Sequence, residues 1–488
     1  VRSLAPVLAA ALLALVPASP AAAVVSQGAF RMGADALWSR GVQGGGEQVA
    51  IIDQGFAGLD AAIAAGELPP RSEMRAVSFD ARHGLDGRDE LDLPTEHGTR
   101  MAEIVHDVAP RARLVLVNYN TVAEFARAAE WAAAEGIPVV SHSNSFLDGP
   151  FDGTGPAARA VDAAAARGVL WVNSAGNFAQ RHWAGRTGPA DVGVPFDVGP
   201  AGAWLALHLT RRDAAADAGF VVERREPDGT WSVRATARPS GPVSVAVPPM
   251  RAEGGTWRVR ILPAAVHTDV ELFSLTVGFG DLAVPEGSVP TPADAAGALA
   301  VAAVPWTGEA VAPYSSRGPA EDGRAVPALA APTYVTSNPA YPGTAGTSAA
   351  TAHAAGAAAL LREERRRAGL PHDAASLRQV LVASARDVDA PGPDAATGAG
   401  LLRLDVTPPR VRLLRVRARG RLVVRARDDG TLDRVEVEVP GVRTIRARRA
   451  ELGVGLRGLP RRVRAVTVTA RDMAGNTWRR RVAVAARP

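Results

Sequence analysis

Apolar and polar positions follow three different rhythms along the chain. From about Gly44 to Val117 and again from Thr121 to Val172, short apolar runs alternate with helical stretches. Gln48–Ile52, Leu114–Val117, Pro138–Ser141 and Val169–Val172 read as strands buried on both faces, as in parallel sheets. Val122–Ala134 and Ala157–Arg167 are Ala-rich helical segments, and the second stops at Gly168, where a helix C-terminus favours glycine. Such alternation predicts a doubly wound, mostly parallel α/β sheet.

After about Pro195 the rhythm shortens. Trp204–Leu209, Phe220–Arg225, Trp231–Ala237, Val243–Val247, Trp257–Ile261 and Leu272–Val277 are brief, mostly alternating runs, and Pro227-Asp228-Gly229 is a hairpin signal between two of them. This predicts a jelly-roll-like β-sandwich inserted into the α/β unit. Near Thr291 the small-residue α/β texture returns, with Ala298–Val304 as a strand and Ser348–Arg362 and Ala374–Ala385 as helices. Asp405-Val406-Thr407-Pro408-Pro409 then breaks the chain. Leu413–Val416, Leu422–Arg425, Val435–Val439 and Val463–Thr469 alternate beyond it, with Asp472-Met473-Ala474-Gly475-Asn476 as a turn. That is a small all-β module of immunoglobulin-like size.

The first residues change the picture of where the protein works. Arg2, an apolar run from Leu4 to Val16 and a small-residue stretch ending Ala21-Ala22-Ala23 read as a secretory signal peptide. The run is short of the roughly 20 apolar residues that span a bilayer, and no later segment is long and apolar enough. The expected organisation is a signal peptide at 1–23 and α/β segments at 24–195 and 286–405. A β-sandwich occupies 196–285 between them, and a basic immunoglobulin-like module follows at 406–488. The protein is expected to be secreted or held at the surface of a bacterial cell with a GC-rich genome.

Composition removes several chemistries. The 488 residues contain no cysteine, which excludes thiol nucleophiles, disulfides and Cys-ligated metals. All 55 basic residues are arginine, which excludes lysine Schiff bases and phosphate-loop lysines. Without disulfides, stability falls to core packing and bound ions such as calcium, whose ligands the sequence does not locate. The pI near 10.4 arises at one end: residues 406–488 hold 22 arginines against seven acidic residues, and the rest is net acidic.

Four positions carry candidate chemistry. Asp53 follows the apolar run Val49–Ile52, at the strand end where open α/β sheets place their sites, although an aspartate there also caps helices and turns. His97, in Glu96-His97-Gly98-Thr99, opens a helix beside a glycine; a lone histidine is more often unremarkable. Ser348, in Gly346-Thr347-Ser348-Ala349, opens a helix of small residues, which puts its hydroxyl at the positive helix end but also suits a plain N-cap. Asn177 closes Ala175-Gly176-Asn177, where an amide donates to a developing oxyanion or simply forms a turn.

Together they are specific. Acid, base and nucleophile in the order Asp53, His97, Ser348 follow the subtilisin arrangement, unlike the chymotrypsin or α/β-hydrolase orders. Through Ile51-Ile52-Asp53-Gln54-Gly55, His97-Gly98-Thr99, Ala175-Gly176-Asn177, Gly346-Thr347-Ser348 and the loop Ser315-Ser316-Arg317-Gly318-Pro319, the chain resembles the subtilisin-like serine proteases. The likeness covers about residues 30–190 and 286–403. It implies a secreted endopeptidase that needs no cofactor for its chemistry and acts on protein or peptide substrates. Ser348 would be nucleophile, His97 base and then acid, and Asp53 the group that holds the imidazolium. Asn177 and the Ser348 N–H would form the oxyanion hole. Ser143, Asn144, Ser145, Ala175 and Gly176 would line the substrate, and His353 would be structural.

The chain departs from the family at four places. Gln54 replaces a Thr or Ser, Ala352 replaces a proline, and Ser143-Asn144-Ser145 stands for Ser-Leu-Gly on the strand that pairs with substrate backbone. Only about 25 residues separate the leader from the strand of Asp53, too few for a large folding propeptide. A second reading is therefore a catalytically inert surface-binding relative, or a narrow processing enzyme or ligase on the same triad. The arginines of 406–488 read either as a solvated strand face coloured by GC bias or as a basic face that docks to an anionic cell-wall polymer; nucleic acid is disfavoured, since stacking aromatics are lacking apart from Trp478.

Overall fold

The computed structural model describes residues 23–483, apart from 90, 214–216, 239–243, 265, 405–409, 417–419, 428–431, 449, 457–458, 461–462 and 473–475. The expected leader, save its last residue, the Asp405–Pro409 boundary and the middle of the Asp472–Asn476 turn lie outside the described residues.

The first part of the chain forms strands β1 (Gln48–Asp53), β2 (Arg75–Ser78), β3 (Arg113–Asn118), β4 (Val139–His142) and β5 (Leu170–Ser174). Helices α1 (Gln27–Met32), α2 (Ala34–Trp38), α3 (Leu59–Ala65), α4 (His97–Val108), α5 (Val122–Ala134) and α6 (Pro156–Ala166) surround them. An excursion follows, built of β6 (His182–Arg186), β7 (Val192–Val198), β8 (Ala203–Arg211), β9 (Phe220–Arg225), β10 (Trp231–Ala237), β11 (Ser244–Ala252), β12 (Gly255–Ile261) and β13 (Asp269–Ser274). The chain then returns through β14 (Ala298–Pro305), β15 (Leu329–Thr333), α7 (Thr347–Arg367), α8 (Ala374–Ala383), β16 (Ala385–Arg386) and β17 (Leu401–Leu402). The remaining strands are β18 (Arg410–Val416), β19 (Arg421–Arg427), β20 (Leu432–Val439), β21 (Arg443–Ala447), β22 (Glu451–Gly455), β23 (Ala465–Asp472) and β24 (Thr477–Ala483).

The two α/β segments share one nine-stranded sheet in the order β16-β17-β15-β14-β5-β4-β1-β3-β2, parallel throughout except at the β16–β17 edge. Its inner strands are buried on nearly every residue because both faces are covered. On β1, Val49 and Ile51 enter the core shared with α4 and α7, whereas Ala50 and Ile52 enter the core shared with α5 and α6. Fully burying one such aliphatic side chain contributes about 1.5–3 kcal/mol. This mixed α/β architecture agrees with the expectation. Four of its strands escape pattern reading: β2 is a four-residue edge strand, β15, Leu-Ala-Ala-Pro-Thr, is weak in β-formers, and β16 and β17 are two residues each.

The excursion folds as two four-stranded antiparallel sheets, β10-β9-β12-β7 and β11-β8-β13-β6. Leu207, Phe220, Val222, Trp257, Val259 and Leu272 fill the space between them. Its first and last strands pair, His182 with Phe273 through Arg186 with Asp269, so the chain leaves and re-enters the α/β unit side by side. Beyond residue 409 the described strands form a three-stranded sheet, β18-β19-β22, and a four-stranded one, β21-β20-β23-β24, over a core that includes Leu422, Val424, Val437 and Val468. No helix among the described residues is long and apolar enough to cross a membrane.

Candidate active site

The site lies at the C-terminal end of the sheet. β1 ends at Asp53, whose side chain is fully buried. A buried carboxylate needs hydrogen-bond donors. Asp53 Oδ1 accepts the Gln54 N–H at 2.8 Å, and both oxygens lie 2.8–2.9 Å from His97 Nδ1. His97 is the first residue of α4. Its N–H is held by Thr95 Oγ1 at 3.2 Å, and the Gly98 N–H that follows donates to the Gly55 carbonyl at 3.0 Å. A carboxylate at Nδ1 fixes the tautomer and leaves Nε2 as the acceptor for chemistry. The ring side chain is 33% exposed, so it reaches solvent and ligand.

Three other histidines are disqualified by their surroundings. His142 lies buried between the Tyr119 hydroxyl (2.8 Å) and Asn173 Oδ1 (2.7 Å), and burial pushes its pKa down to about 4. His353 is spanned by the Ala349 carbonyl and the Ser26 hydroxyl, both at 2.7 Å, and burial likewise holds it at about 4. His83 is engaged by Asp80 at 2.9 Å, a carboxylate other than Asp53.

Helix α7 carries Ser348 as its second residue. Every side chain from Thr347 to Leu361 is buried, and most are alanine, so the helix runs through the interior against α4, β4, β5, β14 and β15. Ser348 Oγ donates to the Ser143 carbonyl at 3.3 Å. The orientation of Asn177 is fixed by its oxygen: Oδ1 accepts from Thr347 N (2.9 Å) and Thr347 Oγ1 (3.1 Å), which turns Nδ2 away as a donor. A Cβ added to Gly346 would lie 3.5 Å from Asn177 Nδ2, 3.5 Å from Ser348 N and 3.6 Å from Ser348 Oγ. Glycine, here at φ +113°, therefore keeps open a small space faced by two N–H donors and the hydroxyl.

The residues expected to line the substrate fall into two groups. Ser143 and Asn144 are buried on the segment after β4, and Asn144 Nδ2 donates to Gln54 Oε1 at 2.9 Å, tying that segment to the residue after Asp53. Ala175 and Gly176 spend their peptide groups inside the protein. The Ala175 N–H goes to Val301, the Gly176 N–H to Thr347 Oγ1, and the Gly176 carbonyl accepts from Ser316.

Two cavities flank this centre. One, of about 440 Å³, lies between His97 and residues 341–345, where Arg100 stacks 3.9 Å from the Tyr341 ring centre. The Tyr341 hydroxyl and then Arg100 hold the Glu96 carboxyl there below its usual range. The other, of about 600 Å³, opens beside Gln54 and Ser145. Its far wall is the β-sandwich, through His208 of β8 and Val247 of β11, and Asp89 and Asp92 also line it. Sequence reasoning missed this wall because nothing local to β8 or β11 says what faces them. Among the described residues no group of three His, Asp or Glu side chains is placed to hold a metal ion.

Fold and site together resemble those of the subtilisin-like serine proteases. Residues 280–400, which contain Ser348, match the family model described as Subtilase family. Among solved structures, the CspB protease of Clostridium perfringens is similar over 77% of this chain and 97% of its own, at 17% identity and a TM-score of 0.55. A lanthipeptide protease (17% identity, 77% of this chain and 91% of its own, TM-score 0.44) is also similar. So is the prenylagaramide maturation protease PagA (15%, 76% and 96%, TM-score 0.44). No curated protein sequence matches the chain.

Proposed function

We propose that this protein is an exported serine endopeptidase in which Ser348 attacks the substrate carbonyl. The observation that carries the reading is the buried Asp53 carboxylate bound to His97 Nδ1, with Ser348 and Asn177 converging on the space over Gly346. His97 Nε2 takes the hydroxyl proton as Oγ bonds to carbon, and Asp53 stabilises the imidazolium that results. The Ser348 N–H and Asn177 Nδ2 meet the negative charge on the tetrahedral oxygen. His97 then returns the proton to the leaving amine, and water repeats the cycle on the acyl-enzyme. Structural calcium is no part of this chemistry, and no step requires a cofactor.

Ser143, Asn144 and Ser145 form the edge along which substrate backbone lies, next to the cavity walled by the β-sandwich. A second wall of this kind favours a narrow processing enzyme over a general digestive one. The arginine-rich strands after residue 409, read as an immunoglobulin-like module, dock the exported enzyme to an anionic wall polymer. Ser348→Ala tests the central assignment. It should abolish peptide hydrolysis and fluorophosphonate labelling while circular dichroism and thermal unfolding stay those of the parent. Labelling that persists at another serine sinks it, and a peptide library cleaved without a sequence pattern removes the narrow reading.

A further inference from the structure

The stretch of chain ahead of α1 is fastened more tightly than a linker behind a leader requires. Val24 is half-buried, and its backbone nitrogen lies 3.2 Å from Glu67 Oε2. The Ser26 N–H donates to Asp107 Oδ2 at 2.9 Å, and the Ser26 hydroxyl meets His353 Nε2 at 2.7 Å. Gly28 then passes so close to that ring that a Cβ would sit 2.1 Å from the same nitrogen. Through Ser26 this short segment touches both α4, which His97 opens, and α7, which carries Ser348 in its first turn.

Under this segment lie three buried carboxylates: Glu67, Glu103 and Asp107, exposed by 3%, 0% and 8%. Glu103 and Asp107 are four residues apart on α4 and so share a face. Glu103 accepts from Asn338 Nδ2 at 2.8 Å and from Ser337 Oγ at 3.4 Å. Among the described residues none of the three has an arginine or histidine at ion-pair distance, and Arg100, which acts on Glu103 from farther off, is paired with Glu96 at 3.0 Å. Burial first, and the neighbouring carboxylates with it, push Glu103 up to about 7 and Asp107 up to about 9. Buried carboxylates are stable when a cation compensates them.

The expected leader ends Ala21-Ala22-Ala23, and the next nitrogen is the one beside Glu67. We propose that hydrolysis of the Ala23–Val24 peptide bond leaves an α-ammonium on Val24 that pairs with Glu67 and completes this carboxylate cluster, bracing α4 against α7. Water adds across the bond under the action of a leader-removing peptidase. Ala23 departs as a carboxylate, and the Val24 nitrogen, with an ordinary α-amino pKa of about 7.7–8.0, takes up a proton. The nitrogen already occupies its place as a neutral amide, so cleavage adds charge and donors where the carboxylates need them, without moving the chain. Charge-assisted hydrogen bonds of this kind are about twice as strong as neutral ones. The uncleaved precursor, lacking the ammonium, is held less firmly between its two catalytic helices.

This inference rests on the leader reading, and its test does not depend on peptidase activity. Because the sequence contains no lysine, Val24 becomes the sole primary amine after processing. Exported protein should begin at Val24 by intact mass and N-terminal sequencing. In the native protein, acetylation by an N-hydroxysuccinimide ester near pH 8 should be about tenfold or more slower than in guanidinium. Glu67→Gln should speed the native reaction. A Gly-Ser extension ahead of Val24, made in the otherwise unaltered chain, should lower the unfolding temperature by several degrees, roughly the effect of losing one buried ion pair. A mature N-terminus elsewhere, an amine equally reactive in folded and unfolded protein, or an extension without effect on unfolding each overturns the proposal. A protected Val24 amine in a protein without peptidase activity would leave it standing and remove the enzymatic reading instead.

Discussion

Asn177 divides one amide between two tasks. Its oxygen is consumed by Thr347, which orients the side chain, and its nitrogen is thereby presented to the site. Asn177→Ala removes the donor and should lower kcat about 10²–10³-fold with little change in KM, the scale reported for an oxyanion-hole asparagine in subtilisin. A loss within about threefold would reject the role. His142 predicts a pH effect of known sign. Its pKa falls from about 6.5 to about 4 on folding, so the unfolded chain binds the proton first as pH drops. Its contribution is complete above pH 6.5 and is lost as pH falls toward 4. The stability gap between the parent and His142→Gln, from urea unfolding, should therefore narrow over that range by up to about 1.4 kcal/mol per pH unit. A gap that widens contradicts a buried neutral ring. Asp53, His97, Ser348 and Asn177 were legible because each sits where a strand ends or a helix begins, and their order is distinctive. The hold of Ser26 on His353 was not, because partners 327 positions apart leave no local pattern.

At the scale of elements, the outer ribbon of the C-terminal sheets shows what alternation does and does not reveal. The spacing of arginines on β18 and β19 was visible in the sequence, but the register was not. Arg410 lies opposite Arg427, and Arg412 opposite Arg425, all four exposed. Like charges directly opposite on antiparallel strands destabilise the pair. Arg425 also reaches Glu451 at 2.6 Å, which offsets part of that repulsion. A bound polyanion would offset it further. Changing Arg410, Arg412 and Arg427 to Ser should therefore raise the unfolding temperature or leave it unchanged while weakening retention on anionic wall polymer. Retention by the parent should fall steeply with salt, since screening acts within about 8 Å at physiological ionic strength. Equal retention of parent and variant, or indifference to salt, contradicts docking through this ribbon.

The whole molecule assembles its site from chain segments on either side of the β-sandwich. Asp53, His97 and Asn177 precede it and Ser348 follows. The sequence showed that an excursion was present; only tertiary structure shows that β8 and β11 help wall the cleft, because facing surfaces from distant segments carry no shared periodicity. The pairing of β6 with β13 has a further effect, on the order of folding events. The Ser274 N–H donates to the Arg181 carbonyl at 2.9 Å, and the Arg181 guanidinium donates to the Leu275 carbonyl at 2.8 Å, so the two ends are clasped at the threshold. Closing a loop costs entropy that grows with its length, about 0.6 kcal/mol per doubling. Once the sandwich has formed, Arg181 and Leu275 are neighbours, and the conformational search that unites the two α/β segments shortens accordingly. Pulsed hydrogen exchange during refolding should then find amides of β8, β9, β12 and β13 protected before those of α7. Protection of α7 first, or of both at once, would mean that the clasp closes last and that Ser348 reaches the other site residues across the full length of the open chain.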